Sequence, residues 1–375
     1  MIASQRHRFA IPEDVHYLNC AYMAPLADTV SAAMVEGARR KEQPWLLRPV
    51  DFFGVVEEFR SRAARLAGVS ADSIAVVPSV SYAMAIAARN LPLARGQSVV
   101  TLADQFPSNV YPWRKLAADN GGEVVTVHRD AFAAWTDAVL DAIGPDTAIV
   151  AMPQCHWADG RVVDLVAVGE ACRANGAALV LDLTQSLGAM AIDFAAVQPD
   201  FAVAACYKWL LGPYGLSMTY IDPKHHRGDP LEQNWINRAG SEDFARLVDY
   251  RDDYQPGARR FDMGEKSNPP LLAGGSAALY LIGEFGVEAI AGTLAARTSA
   301  IAKAAAPLGF DAAPVGIRAP HFLSLSAADG LPPDLAERLA EAQVHVSVRG
   351  QSLRVTPHLW TSDADVEALL AAIAT

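Results

Sequence analysis

Two residues of this sequence have types and positions suited to chemistry. Lys208 directly follows the apolar run 201-FAVAACY and precedes WLLGPYG. Lysine is among the residue types least often buried. An amine at a strand end in apolar surroundings is driven toward its neutral form. A neutral amine is a nucleophile toward a carbonyl and can form a Schiff base. The plainer alternative is a lysine that snorkels from a strand end into water. Asp182 ends another apolar run, in 179-LVLDLTQSLGA, 26 residues before Lys208. A buried carboxylate needs a partner. A protonated pyridine nitrogen is one such partner, and the charge pair keeps the ring an electron sink. Capping of a following helix is the alternative role for Asp182. A lysine and an aspartate ending nearby strands are together what pyridoxal 5′-phosphate chemistry needs.

The elements that must position this pair follow from the apolar pattern. Helices are expected over 28–41 and over 51–67, where Gly68 stops the second. An alternation follows: strand 74-IAVVP, helix 82–91, strand 98-SVVTL, helix 111–120 ended by Gly121-Gly122, and strand 123-EVVTV. It continues with helix 132–143, strand 147-TAIVAMP, a helix over 165–175 capped by Asp164, and strand 178-ALVLDL. The runs 201-FAVAACY and 216-LSMTYI complete it. Short apolar strands separated by helices imply parallel βαβ units with both sheet faces covered. Ligands of such sheets bind beyond the carboxyl ends of the strands. Residues 225–270 turn polar and loop-rich, and the adjacent His225 and His226 read as a solvated loop. A long alanine-rich helix is expected after Asn268-Pro269-Pro270. The tail offers 321-HFLSLSA, 344-VHVSV and 352-SLRVTP, then a helix capped by Ser362 with Asp365 three residues on. The expected architecture is α/β: a large domain with a mostly parallel sheet between helices, and a small α+β C-terminal domain. The boundaries are set at 1–28 for an N-terminal segment, 29–265 for the large domain and 266–375 for the small one.

Composition narrows the function classes. Of 375 residues, 51% are hydrophobic and 19% charged, which excludes a disordered chain. Lysine and arginine number 31 against 42 acidic residues, a net charge of −11. No basic excess is available to neutralise nucleic-acid phosphates or an anionic membrane. No apolar stretch reaches the roughly 18 residues of a membrane span. The nearest, from residue 287, is interrupted by Glu288, Arg297 and Lys303. The opening MIASQRHRFAIPEDV lacks the apolar run of a signal peptide. Cys20, Cys155, Cys172 and Cys206 are far apart, which fits a reducing cytoplasm and disfavours a metal site.

The stretch 182-DLTQSLGAMAIDF…PDFAVAACYKWLLGPYG resembles the class V aminotransferase family of fold-type I pyridoxal-phosphate enzymes. That family includes cysteine desulfurases, kynureninases and isopenicillin N epimerase-like proteins. The shared pattern is D-x-x-Q/H-x-x-G, a lysine about 25 residues on, and a glycine-rich turn. The resemblance implies a seven-stranded sheet and a cofactor bonded to Lys208 with Asp182 at its ring nitrogen. It puts the cofactor phosphate at the turn and helix start in 77-VPSVSYAMAIAARNL, at Val80 and Ser81; Ser81 is equally a good N-cap. Phe106, in 105-QFPSNVYPW, matches a ring-stacking aromatic of kynureninases, or is a core aromatic. Gln185 resembles the residue near the ring hydroxyl, and Tyr207 the phosphate-contacting tyrosine of an S-Y-K triplet. The run 267-SNPPLL implies that Asn268 reaches the phosphate of a neighbouring subunit, with Trp235 as a second cross-subunit contact. A homodimer with shared active sites follows. Arg354, between the apolar Leu353 and Val355, would bind the substrate carboxylate through a bidentate fork; an exposed edge-strand arginine is the alternative. The segment 17-YLNCAYMAPL resembles the family's opening, which lies over the active site and makes Asn19 and Tyr22 substrate contacts.

The sequence also departs from that family. Residues 207–375 hold no cysteine, so the nucleophilic thiol of a desulfurase is missing. Ala205 stands where desulfurases have a phosphate-binding serine. Trp157 replaces an asparagine near the ring oxygen, with an indole N–H free to donate there. What is implied is an enzyme acting on an α-amino acid, foremost an aminotransferase. A kynureninase-like hydrolase or lyase and an epimerase share the same residues. A non-catalytic pyridoxal-phosphate-binding protein would need neither Lys208, Asp182 nor Arg354.

Overall fold

A computed structural model describes residues 1–129 and 134–374. The chain begins with strand β1 (His16–Tyr17) and helices α1 (Asp28–Arg39) and α2 (Asp51–Ala67). An alternating series follows: β2 (Ile74–Val77), α3 (Val80–Asn90), β3 (Ser98–Leu102), α4 (Tyr111–Asn120), β4 (Glu123–Val127), α5 (Trp135–Ala142) and β5 (Thr147–Pro153). It runs on through α6 (Leu165–Asn175), β6 (Ala178–Asp182), α7 (Phe194–Val197), β7 (Phe201–Ala205) and β8 (Ser217–Ile221). Next come α8 (Pro269–Phe285), α9 (Val287–Ala305), β9 (Phe310–Ala312), β10 (Leu323–Ala327) and α10 (Leu335–Glu341). The chain closes with β11 (Val344–His345), β12 (Ser347–Arg349), β13 (Ser352–Val355) and α11 (Asp363–Ile373).

Seven strands form one sheet in the order β2-β8-β7-β6-β5-β3-β4. Only β8 runs against its neighbours, so the sheet is mostly parallel, as expected. Its central strands are largely apolar because both faces are covered, whereas edge strand β4 carries Glu123 and Thr126 and is partly exposed. Val76, Val100, Val150, Leu181 and Ala204 pack on one face, and Ala75, Val99, Ile149, Val180 and Val203 on the other. A four-stranded antiparallel sheet, β12-β13-β10-β9, lies in the C-terminal part over a separate core that includes Leu323, Leu325, Leu353, Val355 and Leu369. Leu18 belongs to that core, and β1 pairs in parallel with β11, so the N-terminal segment is stitched to the C-terminal part.

Several expectations need correction. The alanine-rich helix is two helices, bent by 74°. Gly286 makes the break at φ 78°, a conformation most side chains avoid. The run 344–348 is split: β11 pairs with β1, and β12 pairs with β13. The strand expected to run to Tyr207 ends at Ala205. Helix 132–143 is observed as α5, and residues 132 and 133 lie outside the described residues. The histidines at 225 and 226 are half-buried, not fully solvated; His226 Nε2 lies 3.0 Å from Ile221 O. His225 Nε2 lies 2.6 Å from Asp200 Oδ1 and its ring stacks on Phe201, while Asp200 Oδ2 accepts Leu179 N–H at the sheet's end. The capping box at α11 is present, with Ser362 and Asp365 exchanging hydrogen bonds. Among the described residues no single helix is long and apolar enough to cross a membrane.

Candidate active site

Strands β2, β3, β5, β6 and β7 deliver their carboxyl ends, and antiparallel β8 its amino end, to one edge of the large sheet. A cavity of about 220 Å³ opens there. Val80, Ser81, Phe106, Trp157, Asp182, Gln185, Tyr207 and Lys208, all marked in the sequence, line it together. Nothing local brings them together. They span 129 residues of chain, from Val80 to Lys208, and meet because parallel strands end side by side.

Lys208 sits three residues beyond the end of β7 and is 7% exposed. Burial pulls its amine down to about 8, against the opposing pull of Asp182. No hydrogen bond holds Nζ among the described residues; the Phe106 and Tyr207 rings are each 5.4 Å away. Asp182 ends β6, and Oδ1 accepts Thr184 N–H at 3.0 Å. Burial pushes its carboxyl above the usual range, with Thr184 and Lys208 opposing. The Lys208 loop is pressed against the turn after β6. At Gly188, φ is +98°, and a Cβ would lie 2.4 Å from the Trp209 carbonyl oxygen.

The neighbouring polar groups differ from expectation at two places. The N-cap of α3 is Ser79, not Ser81; Ser79 Oγ accepts Tyr82 N–H at 3.3 Å and lies 3.0 Å from Ser81 Oγ. The Trp157 indole N–H is not free, because it donates to Asp104 O at 2.6 Å. Gln105, Cys155, Thr184, Tyr214 and Ser217 also line the cavity and went unmarked. Ser217 was hidden because its relation to the lysine strand is a sheet register, Ala205 opposite Ser217, and not a sequence spacing. Residues 49–360 match the aminotransferase class-V family.

The chain belongs to the aminotransferase class-V family. Class-V enzymes of this kind depend on pyridoxal 5′-phosphate. The chain is 28% identical over 277 residues to a kynureninase of Deinococcus radiodurans, covering 70% of this chain and 64% of that protein. It therefore spans less than two thirds of that relative's length. It is 26% identical to an uncharacterized aminotransferase of Bacillus subtilis, covering 84% of this chain and 82% of that one. The fold is similar to that of a C-DES mutant with glycine covalently linked to its PLP cofactor: TM-score 0.86, 18% identity, 99% of both chains covered.

The remaining marked residues of this class-V chain divide into two groups. Arg354 is 1% exposed and on an inner strand, so it is neither exposed nor at an edge. It donates to Trp157 O at 2.9 Å, its Nε is buried without a partner, and burial lowers it to about 10. Asn19 Oδ1 accepts from Ser347 Oγ at 3.0 Å, and Ser347 Oγ is 3.5 Å from Arg354 Nη2. The opening segment crosses the lysine loop: Ala24 N–H donates to Tyr207 O at 2.9 Å, and Gln185 Nε2 to Ala21 O at 3.1 Å. Tyr22, 57% exposed, stands on that segment. Trp235 and Asn268 do not line the cavity of their own chain; nor do Arg354, Asn19 and Tyr22, of which Arg354 reaches the wall through Trp157 O. Trp235 packs edge-on to Phe244, and Asn268 caps α8 by accepting Leu271 N–H.

Proposed function

We propose that this class-V enzyme is a pyridoxal-phosphate-dependent aminotransferase of an α-amino acid. The observation that carries the reading is the buried Lys208 amine, poised near neutrality in one cavity with the buried Asp182 carboxyl. The residues fit the cofactor. Lys208 would hold it through Nζ, and Asp182, which accepts Thr184 N–H at Oδ1, would pair with a ring N–H. Gln105 Nε2 and Ser217 Oγ are buried in the cavity wall without partners. Such groups await a ligand's polar atoms. The amino end of α3, with Ser79 and Ser81, offers N–H groups to a phosphate. Ser217 supplies, opposite Ala205, the hydroxyl that β7 lacks.

Bound there, the cofactor supplies an electron sink for charge developing at the substrate α-carbon. The rest is the work of the chain. Arg354 takes the α-carboxylate through its fork, and Asn19 steadies that end through Ser347. Lys208 Nζ, released when the substrate amine takes its place and held near neutrality by burial, accepts the α-proton and returns it. Phe106 and Trp157, edge to face at 5.6 Å, wall the cavity from water. A desulfurase mechanism is disfavoured because all four cysteines are buried, and burial raises every thiol. The free thiols also support a cytoplasmic location. The similarity to a kynureninase supports a second reading, hydrolytic cleavage beside a side-chain ketone. We also propose a homodimer, in which Trp235 and Asn268 would act on the partner's cavity.

Single-turnover absorption of cofactor-loaded protein against a panel of amino acids tests the proposal. Conversion to the amine form with one equivalent of keto acid is expected. Return of the aldehyde form while a side-chain ketone is cleaved would favour the second reading. No change with any amino acid would overturn both.

A further inference from the structure

We propose that Arg349 forms a second anion site beside Arg354, so that the enzyme selects α-amino acids carrying an acid group on the side chain. The inference rests on the cavity being an amino-acid site. Strands β12 and β13 form a tight hairpin with Ser347 opposite Arg354 and Arg349 opposite Ser352. Paired residues and those two apart share a face, so both arginines project from the same side. They are diagonal neighbours, a relation that places Cβ atoms about 7–8 Å apart or somewhat less. Like charges this near repel: after burial, the Arg349 charge is the next cause that lowers Arg354.

No carboxylate answers them among the described residues. Arg349 Nη1 donates to its neighbour's carbonyl, Val348 O, at 2.8 Å. Arg354 meets the carbonyl of Trp157 and the Ser347 hydroxyl. Both also converge on one residue. Arg354 holds the Trp157 backbone, and the Arg349 guanidinium lies over the Trp157 ring, 5.8 Å from its centroid. From there the wall is continuous: Trp157 packs on Phe106 at 5.6 Å, and Phe106 is 5.4 Å from Lys208 Nζ.

Counting charges identifies the ligand. A cofactor phosphate is met at the amino end of α3. A substrate α-carboxylate is met by Arg354. Arg349, half-buried over the Trp157 ring, is then a cation that no carboxylate meets among the described residues. A planar guanidinium fork matches a carboxylate. A side-chain acid group is therefore the feature that completes the site.

The test compares acid and amide pairs on the cofactor-loaded protein, glutamate against glutamine and aspartate against asparagine. Both kcat/KM and the dissociation constant from cofactor absorption are read. Preference for the acid by roughly ten- to hundredfold in at least one pair is expected, as charge-assisted hydrogen bonds provide. The preference should weaken with salt, fall toward unity in Arg349→Gln and return in part in Arg349→Lys. Equal preference in wild type and Arg349→Gln, or none in wild type, overturns the proposal. Calorimetry with glutarate and pentanoate needs no turnover. If no amino acid alters the cofactor spectrum, the aminotransferase reading fails on its own. Glutarate binding that exceeds pentanoate binding and is lost in Arg349→Gln would still uphold the anion site; equal binding would overturn it.

Discussion

The Trp209 indole donates its N–H to Gln185 Oε1 at 2.9 Å, and this bond fixes which end of the Gln185 amide faces the cavity. An indole N–H can only donate, and Ala21 O, at 3.1 Å from Nε2, can only accept. The amide oxygen is therefore turned to Trp209, and one N–H of Nε2 is left over. Trp209 is itself held by His321, ring to ring at 4.2 Å, and His321 Nε2 meets Gln185 O at 2.6 Å.

Trp209→Phe keeps the ring and removes the donor. A buried acceptor left unmet costs about 1–3 kcal/mol. We expect that loss in the unfolding free energy, and a displaced pH midpoint in the absorption of the cofactor-loaded protein. A variant matching wild type in both would remove Trp209 from this role.

Lys208→Ala should lower turnover by at least the roughly 10²–10⁴-fold typical of a lost general base. It should also end borohydride trapping of the cofactor on the chain. Trapping that persists would assign the bond to another lysine. In cofactor-free wild type, burial lowers the folded amine from 10.5 to about 8. The neutral fraction thus grows as pH rises through about 8, and reaction with a simple aldehyde should show that midpoint. A midpoint near 10.5 would contradict the burial described.

Asp182→Asn preserves an acceptor for Thr184 N–H, so the fold should hold. The ring nitrogen loses its anionic partner, and most of the rate should go with it. Burial already raises the Asp182 carboxyl, so relieving it should leave the cofactor-free protein as stable or more so. Near-wild-type turnover would rule out the pairing.

His321 and His358 are buried, and burial lowers them from 6.5 to about 4 and about 3. The unfolded chain therefore binds more protons than the folded one between those values and 6.5. Stability should fall as pH drops below about 6.5, by up to about 1.4 kcal/mol per pH unit for each histidine. His358 has no partner at either nitrogen and stacks on Trp360. His358→Phe should flatten the acid slope of the melting temperature. An unchanged slope would place the acid sensitivity elsewhere.

The pairing of Lys208 with Asp182 was legible because both end apolar runs, and apolar runs mark buried strands wherever they sit in a chain. Trp157 was misjudged because its indole N–H is taken by Asp104, an acceptor carried on a turn at φ 53° that no pattern announces. Ser79 displaced Ser81 as the cap because helix starts are set by backbone dihedrals as much as by residue type.

The sequence by itself determined most of the elements, the burial of the central strands, and the placing of a lysine and an aspartate at strand ends. These are consequences of periods of two and 3.6 residues, which are local. The tertiary structure alone decided that Ser217 stands beside Ala205, that Trp209 orients Gln185, and that Arg349 and Arg354 share one face over Trp157. Those relations depend on strand order, register and the crossing of the N-terminal segment. They are matters of pairing and side-chain packing between elements, about which hydrophobic patterning carries no information.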